Sequence, residues 1–236
     1  MSILSMFGAA GEAAQVKAQV TKYKSGATED QKDAIDYFIP NGGALFNFFN
    51  AMTLGLVGLI YSMFFEKEKD KEYEQIVERL LASQDTYHRA LDKIGLDESQ
   101  LQEIEPVKFC GYDDSDFVKF TVKGEYRTNK IMVAHLFFSD TQVYLYKIIF
   151  DTMKNDVYEC NEECYYSDIV KLRSVVNTKE HFKRKGCLKA KWKRIPYQIQ
   201  RFELFVPGTS FACCTDGDIS KQVEAMTFKV REKKTN

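Results

Sequence analysis

Lys130–Phe150 reads KIMVAHLFFSDTQVYLYKIIF. Two long apolar runs, Lys130–Phe138 and Gln142–Phe150, flank Ser139, Asp140 and Thr141. Polar residues of this kind suit a tight reversal, and apolar runs of this length, rich in β-branched and aromatic residues, read as strands. In the second run Tyr144, Tyr146, Ile148 and Phe150 recur at every second position, the period that lines one face of a sheet. The stretch predicts an antiparallel hairpin, so the C-terminal half is expected to be built from such hairpins.

The same period extends outward. From Val107 the pattern is strand-like, and Phe117–Lys123 places Val118, Phe120 and Val122 to one side. Asp151–Asp156 reads as a turn, and Tyr165–Val176 as a strand with Val170, Leu172 and Val176 alternating. Tyr197–Val206 and Thr209–Cys214 flank Pro207-Gly208, a turn pair. Asp218 suits the cap of a last helix in which Ile219, Val223, Met226 and Val230 share a face. About seven strands followed by one amphipathic helix predict a small antiparallel barrel plugged by that helix.

Upstream the period is helical. Thr28 and Gln31 form a capping-box pair ahead of a helix that carries Ala34, Ile35 and Phe38 and stops before Pro40. Tyr73, Val77, Leu80, Gln84, Tyr87, Leu91 and Ile94 follow a heptad spacing ending at Gly95. Such a seam serves a short coiled coil or, the preferred reading, a helix lying on the domain that follows. Met1–Lys24 reads as an interfacial helix or one packed on its neighbours, with Ile3, Leu4, Met6 and Phe7 as an apolar tip. Met1–Gly11 lacks the basic start and long apolar run of a secretory signal, so a cytoplasmic β-rich part is expected.

Ile39–Phe65, IPNGGALFNFFNAMTLGLVGLIYSMFF, contains no charge. Its Ala44–Phe65 part, as a helix, covers roughly 33 Å at about 1.5 Å per residue, enough for a bilayer core. Asn47, Asn50, Thr53 and Ser62 interrupt it, and Gly42, Gly43, Gly55 and Gly58 loosen it. Three readings stand: a membrane span, a buried helix, and an interfacial hairpin. Leu54, Leu56, Val57, Leu59 and Ile60 are the expected membrane contacts. Lys67, Lys69, Lys71 and Arg79 give a slight positive bias on the side of the β-rich region.

The chain has 236 residues and a net charge of −1, so no global field draws in nucleic acid. Its six cysteines include no CxxC pair, and Cys160, Cys164, His181 and Cys187 match no common zinc spacing. His88, His135 and His181 lie in no nucleophile or metal motif, and no phosphate-binding glycine loop is present. Asp113, Asp114 and Asp116 lack the spacing of a calcium loop. The expectation is a protein without enzymatic activity and without a cofactor.

One segment carries concentrated chemistry. Lys179–Arg194, KEHFKRKGCLKAKWKR, holds Lys179, Lys183, Arg184, Lys185, Lys189, Lys191, Lys193 and Arg194 against the single acid Glu180. It carries +7, leaving −8 for the rest of the −1 chain. Each cation near an anionic leaflet contributes about 1 kcal/mol. Trp192, the only tryptophan, suits the headgroup layer. These residues are the candidate lipid contacts. A solvated loop is the plain alternative, and nucleic acid ranks below lipid because the footprint is small.

TQVYLYKIIFD, YYSDIVKLRSV, FELFVPGTSFACC and ISKQVEAMTFKVREKK resemble bacterial pleckstrin-homology-like (GRAM-like) domains. In that family a tyrosine-rich strand pair precedes an acidic-aromatic strand of the form Y-x-D-I, here Tyr166-Ser167-Asp168-Ile169. The resemblance covers Pro106–Lys233. It implies an α+β fold with a small barrel capped by a C-terminal helix, no shared catalytic residues, and a scaffold for lipid or protein binding. The expected division is a helical segment (1–38), the membrane-span candidate (39–65), a charged helix and linker (66–105), and the barrel with its helix (106–236). The leading functional reading is a membrane-associated binding module for anionic lipid or a protein partner. The alternatives are a homo-oligomeric membrane structural or effector protein, assembled through the apolar segment, and a soluble interaction protein with a buried hydrophobic helix.

Overall fold

The computed structural model describes residues 20–22, 24–39, 55–101, 105–185 and 191–235. Among these residues the α-helices α1 (Glu29–Phe38), α2 (Gly55–Ser83) and α3 (Thr86–Ile94) precede the strands. The described strands follow: β1 (Val107–Tyr112), β2 (Val118–Phe120), β3 (Tyr126–Thr128), β4 (Lys130–Phe138), β5 (Gln142–Asp151), β6 (Val157–Tyr165), β7 (Lys171–Lys185), β8 (Lys191–Val206) and β9 (Thr209–Thr215). Helix α4 (Ser220–Thr235) comes last. The chain is therefore α+β, with antiparallel sheets and a C-terminal helix as expected.

The hairpin that opened the reading is β4–β5, paired from Lys130↔Asp151 to Phe138↔Val143. It is the centre of a sheet in the order β1-β4-β5-β6; a second sheet runs β7-β8-β9, and β2-β3 forms a separate pair. The main core lies between the two larger sheets. Phe109, Leu136 and Leu145 from the first meet Phe202, Leu204 and Phe211 from the second, and Val223, Met226 and Val230 of α4 complete the cluster. Phe109 and Phe202 stack with ring centres 5.0 Å apart.

The sheets come closest where β1 meets β9. The Asp216 N–H donates to the Cys110 carbonyl at 2.7 Å. A methyl group placed on Gly111 would stand 2.9 Å from backbone atoms of Thr215, so only glycine permits this approach. At the other margin β6 and β7 share no ladder, so the expected closed barrel is not formed. The Tyr166–Asp168 turn carries the chain from one sheet to the other there, and α4 packs beside it and β7. Lys234 Nζ fastens the helix end to the Ile169 carbonyl at 2.5 Å.

Local signals set the helix ends. Thr28 and Gln31 make the reciprocal capping bonds, at 3.3 and 2.9 Å. Gly95 turns left-handed (φ 74°) after α3 while its N–H donates to the Leu91 carbonyl at 2.8 Å. The Ser220 N–H donates to Asp218 Oδ1 at 2.9 Å ahead of α4. The heptad seam is split. Helix α2 stops at Ser83 and α3 restarts after Asp85, whose carboxylate accepts the His88 N–H at 3.2 Å. Tyr73 and Leu91 are buried, and Val77, Leu80, Tyr87 and Ile94 pack against the two clusters that join these helices to the sheets. The seam therefore lies on the β-domain.

Helices α1 and α2 dock through a buried polar knot. Tyr37 and Tyr73 stack at 4.5 Å. The Tyr37 hydroxyl donates to Asp70 at 2.8 Å, and Asp70 also accepts the Val122 N–H at 2.8 Å. The Tyr73 hydroxyl donates to the Thr128 carbonyl at 2.7 Å. Burial, and then the bond to Asp70, push the Tyr37 phenol well above its ordinary value.

Among the described residues no helix is long and apolar enough to cross a membrane. The described apolar part of α2, Gly55 to Phe65, covers roughly 16 Å as helix before Glu66 begins the charged stretch. The expected span over 44–65 is thus not found there. Residues 44–54, Leu54 among them, lie outside the described residues. Leu56, Val57, Leu59 and Ile60 fall in the first turns of α2.

Candidate functional site: a basic two-stranded ribbon

The described residues of the basic run, Lys179–Lys185 and Lys191–Arg194, form the distal arms of β7 and β8, which pair from Lys171↔Phe205 to Lys185↔Lys191. Strand β9 accompanies β8 only as far as Gln200↔Thr215. Beyond that point β7 and β8 continue as two strands for roughly 30 Å, at about 3.3 Å per residue. Pro196 lies in this part, where β8 has one ladder and a missing N–H is tolerated.

The register decides how the charges are arrayed. Lys183 stands opposite Lys193, and Lys185 opposite Lys191. Arg184 stands opposite Trp192, and Phe182 opposite Arg194. Directly opposed residues share a face, and faces alternate along a strand. Four lysine positions therefore fall on one face of the ribbon, and two arginines with Trp192 and Phe182 on the other. Opposed like charges are unfavourable by some tenths of a kcal/mol per pair in an antiparallel ladder. An anionic partner would relieve that term. Lys189 lies outside the described residues; the rest of the candidate set is brought together on these two arms.

The base of the ribbon is buttressed. Tyr197, buried, contacts Phe120 at 5.9 Å and Tyr126 at 5.1 Å between ring centres. His181 lies 5.9 Å from Phe120. Lys179 pairs with Asp114, and Arg194 reaches Glu180 at 3.5 Å, so these two cations are partly engaged within the protein. The supports come from β2, β3 and the acidic loop after β1. Asp114, in the acidic cluster that lacks the spacing of a calcium loop, anchors the ribbon; its pairing with Lys179, so distant in sequence, leaves no local signal. The β2–β3 hairpin had a signal in Gly124, which takes φ 87° and donates its N–H to the Thr121 carbonyl at 2.9 Å.

That hairpin also touches the helices. Lys119 pairs with Glu66 at 2.9 Å, and its ammonium sits 3.9 Å from the centre of the Tyr37 ring. Helices α1 and α2, through Tyr37 and Glu66, and the ribbon base thus meet the same three-residue strand, β2.

The sequence matches no metal or nucleophile motif, and no other chemistry assembles among the described residues. Among the described residues no group of three or more His, Cys, Asp or Glu side chains is placed to hold a metal ion. Cys160 and Cys164 sit four positions apart on β6, roughly 13 Å by strand rise, and Cys187 lies outside the described residues. Burial raises the Cys164 thiol to about 11 and the Cys214 thiol to about 12, which suits packing rather than nucleophilic attack. His135 is buried against Thr86, with Nε2 2.9 Å from Thr86 Oγ1. A groove of about 610 Å³ lies beside the ribbon base, with Tyr112, Tyr126, Arg127, Tyr197 and Gln200 in its walls. The guanidinium of Arg127 is taken up there by Glu74 and Glu125, each at 2.9 Å. No protein-family model, curated protein or solved structure matches this chain.

Proposed function

We propose that this chain is a non-enzymatic binding module of the pleckstrin-homology-like kind that applies its basic ribbon to an anionic membrane surface. The observation that carries the reading is the register of β7 on β8. It concentrates Lys183, Lys185, Lys191 and Lys193 on one face and keeps Trp192 with Arg184 and Arg194 on the other. A ribbon of like charges gains from a counter-charged plane, and each lysine near an anionic leaflet contributes about 1 kcal/mol. The family reading is supported by the strand order. Setting the short β2–β3 pair aside, four antiparallel strands precede three more and then a helix that packs on the shared core. The proposed place of action is the cytoplasmic face of a membrane.

The test uses the full chain. Binding to vesicles containing an anionic phospholipid is expected, with none to vesicles of neutral lipid alone. Affinity falls as salt rises, because exposed charges are screened over about 8 Å at physiological ionic strength. Changing Lys183, Arg184 and Lys185 together to Ser abolishes most of the binding, and Trp192→Ala weakens it. Indifference to anionic lipid, or binding to an oligonucleotide alone, overturns the proposal.

A further inference from the structure

Strand β6 is the outer strand of its sheet. It pairs with β5 on one side and, among the described residues, with no strand on the other. A free row of N–H and C=O groups therefore runs along Val157–Tyr165. Edges of this kind accept an added strand unless they are protected. Val157, Tyr158 and Tyr165 are exposed along it. Its charge is acidic: Glu159 is engaged by Arg89 and by Lys93 at 3.3 Å, whereas Glu162 and Glu163 pair with no cation among the described residues. Two such edges laid together would bring acid against acid, which disfavours pairing of β6 with its own copy. The edge suits an extended basic strand.

The chain itself supplies one. Past Gln200, β8 loses β9, and among the described residues no other strand pairs with its outer side along the arm that carries Lys191 and Lys193. We propose that the β6 edge of one molecule accepts the basic β8 arm of a second copy as an added strand. The two patches differ, and every molecule carries both, so this contact is head-to-tail and propagates into chains of molecules rather than closing as a symmetric pair. It draws on the same lysines as the proposed membrane contact, so assembly and vesicle binding compete. It does not rest on that contact, because it uses only two unpaired edges and their opposite charges.

A charge-exchange experiment without lipid tests it on the full chain. Sedimentation velocity at low salt should show association that weakens about tenfold or more on moving from about 0.01 to 0.15 M salt, as the screening length drops from about 30 to 8 Å. The variant E162K/E163K carries a basic edge and a basic β8 arm; K191E/K193E keeps the acidic edge and turns the charge of Lys191–Gln200 from +3 to −1. Each alone should sediment as a monomer. An equimolar mixture should regain the association, because each edge then meets an oppositely charged β8 arm. Circular dichroism confirms that both variants are folded, and if either is not, the neutral pairs E162Q/E163Q and K191Q/K193Q replace them, each expected to weaken association. A wild-type chain that stays monomeric at low salt overturns the proposal. So does reversal or neutralisation that leaves association unchanged, or a mixture that associates no better than its parts.

Discussion

His135 should make the fold sensitive to mild acid. It lies in the middle of β4, opposite Lys108 on β1 and Tyr146 on β5. Only 2% of it is exposed, and its ring sits among Tyr87, Phe137 and the Thr86 hydroxyl. Burial, with a smaller push from Lys108, lowers its pKa from 6.5 to about 4. The unfolded chain takes up a proton as pH falls through 6.5, whereas the folded chain does not until about 4. Stability contributed by the neutral ring is thus whole above 6.5 and declines across that window. At about 1.4 kcal/mol per pKa unit, the full loss is on the order of 3 kcal/mol, with about 2 kcal/mol gone at pH 5. Urea unfolding at pH 7.5 and pH 5 should show that difference, and His135→Gln should lessen it by about 2 kcal/mol. A proton NMR titration should find the His135 ring neutral at pH 5. If that ring titrates near 6.5, or if the variant loses as much stability as the wild type, the reasoning fails.

Gly111→Ala should lower unfolding stability by about 1–3 kcal/mol or more, since its methyl would press on the Thr215 backbone; a neutral result in urea would remove the close β1–β9 approach from the account. Met226→Asp should cost more, about 3–5 kcal/mol by analogy with an uncompensated buried charge, and should abolish the cooperative thermal transition at 37 °C or above. Tyr37→Phe deletes one of two donors to the buried Asp70 and should cost about 1.5–3 kcal/mol; a loss under about 0.5 kcal/mol would show the knot to be unimportant to docking of α1.

What was legible in the sequence depended on whether the deciding interaction was local. The capping residues Thr28 and Asp218 and the turn at Ser139–Thr141 act within a few positions, and each does what its spacing implied. The β4–β5 hairpin was readable from length and side-chain type, although β4 is buried on both faces and does not alternate. Strand β6 escaped notice because VYECNEECY, at a sheet edge, keeps most side chains at least partly in water and so loses the apolar alternation that marks a strand. The basic arms escaped for a related reason. A run of lysines carries no apolar alternation, so β7 and β8 appeared to end near Val176 and begin near Tyr197 instead of reaching Lys185 and Lys191. The break at Gln84-Asp85 shows the converse: the heptad spacing persists across two helices because both lie on one sheet, not because one helix continues.

The candidate site depends most on β2, three residues within the Phe117–Lys123 alternation. Lys119 ties it to Glu66, the first charged residue after the apolar start of α2, while its neighbour Phe120 packs on His181 and Tyr197 at the ribbon base. Its own pairing with β3 is only Val118↔Thr128 to Phe120↔Tyr126, too short to stand alone. It is held instead by the Asp70 bond to Val122 and by the two aromatic clusters on either side. On the proposed membrane reading, the ribbon acts from a base that this hairpin ties to α2 at Glu66. Phe120→Ala should therefore lower vesicle affinity without removing any charge, leaving the dependence on salt unchanged. An unchanged affinity in a folded Phe120→Ala chain would mean that the ribbon acts by itself.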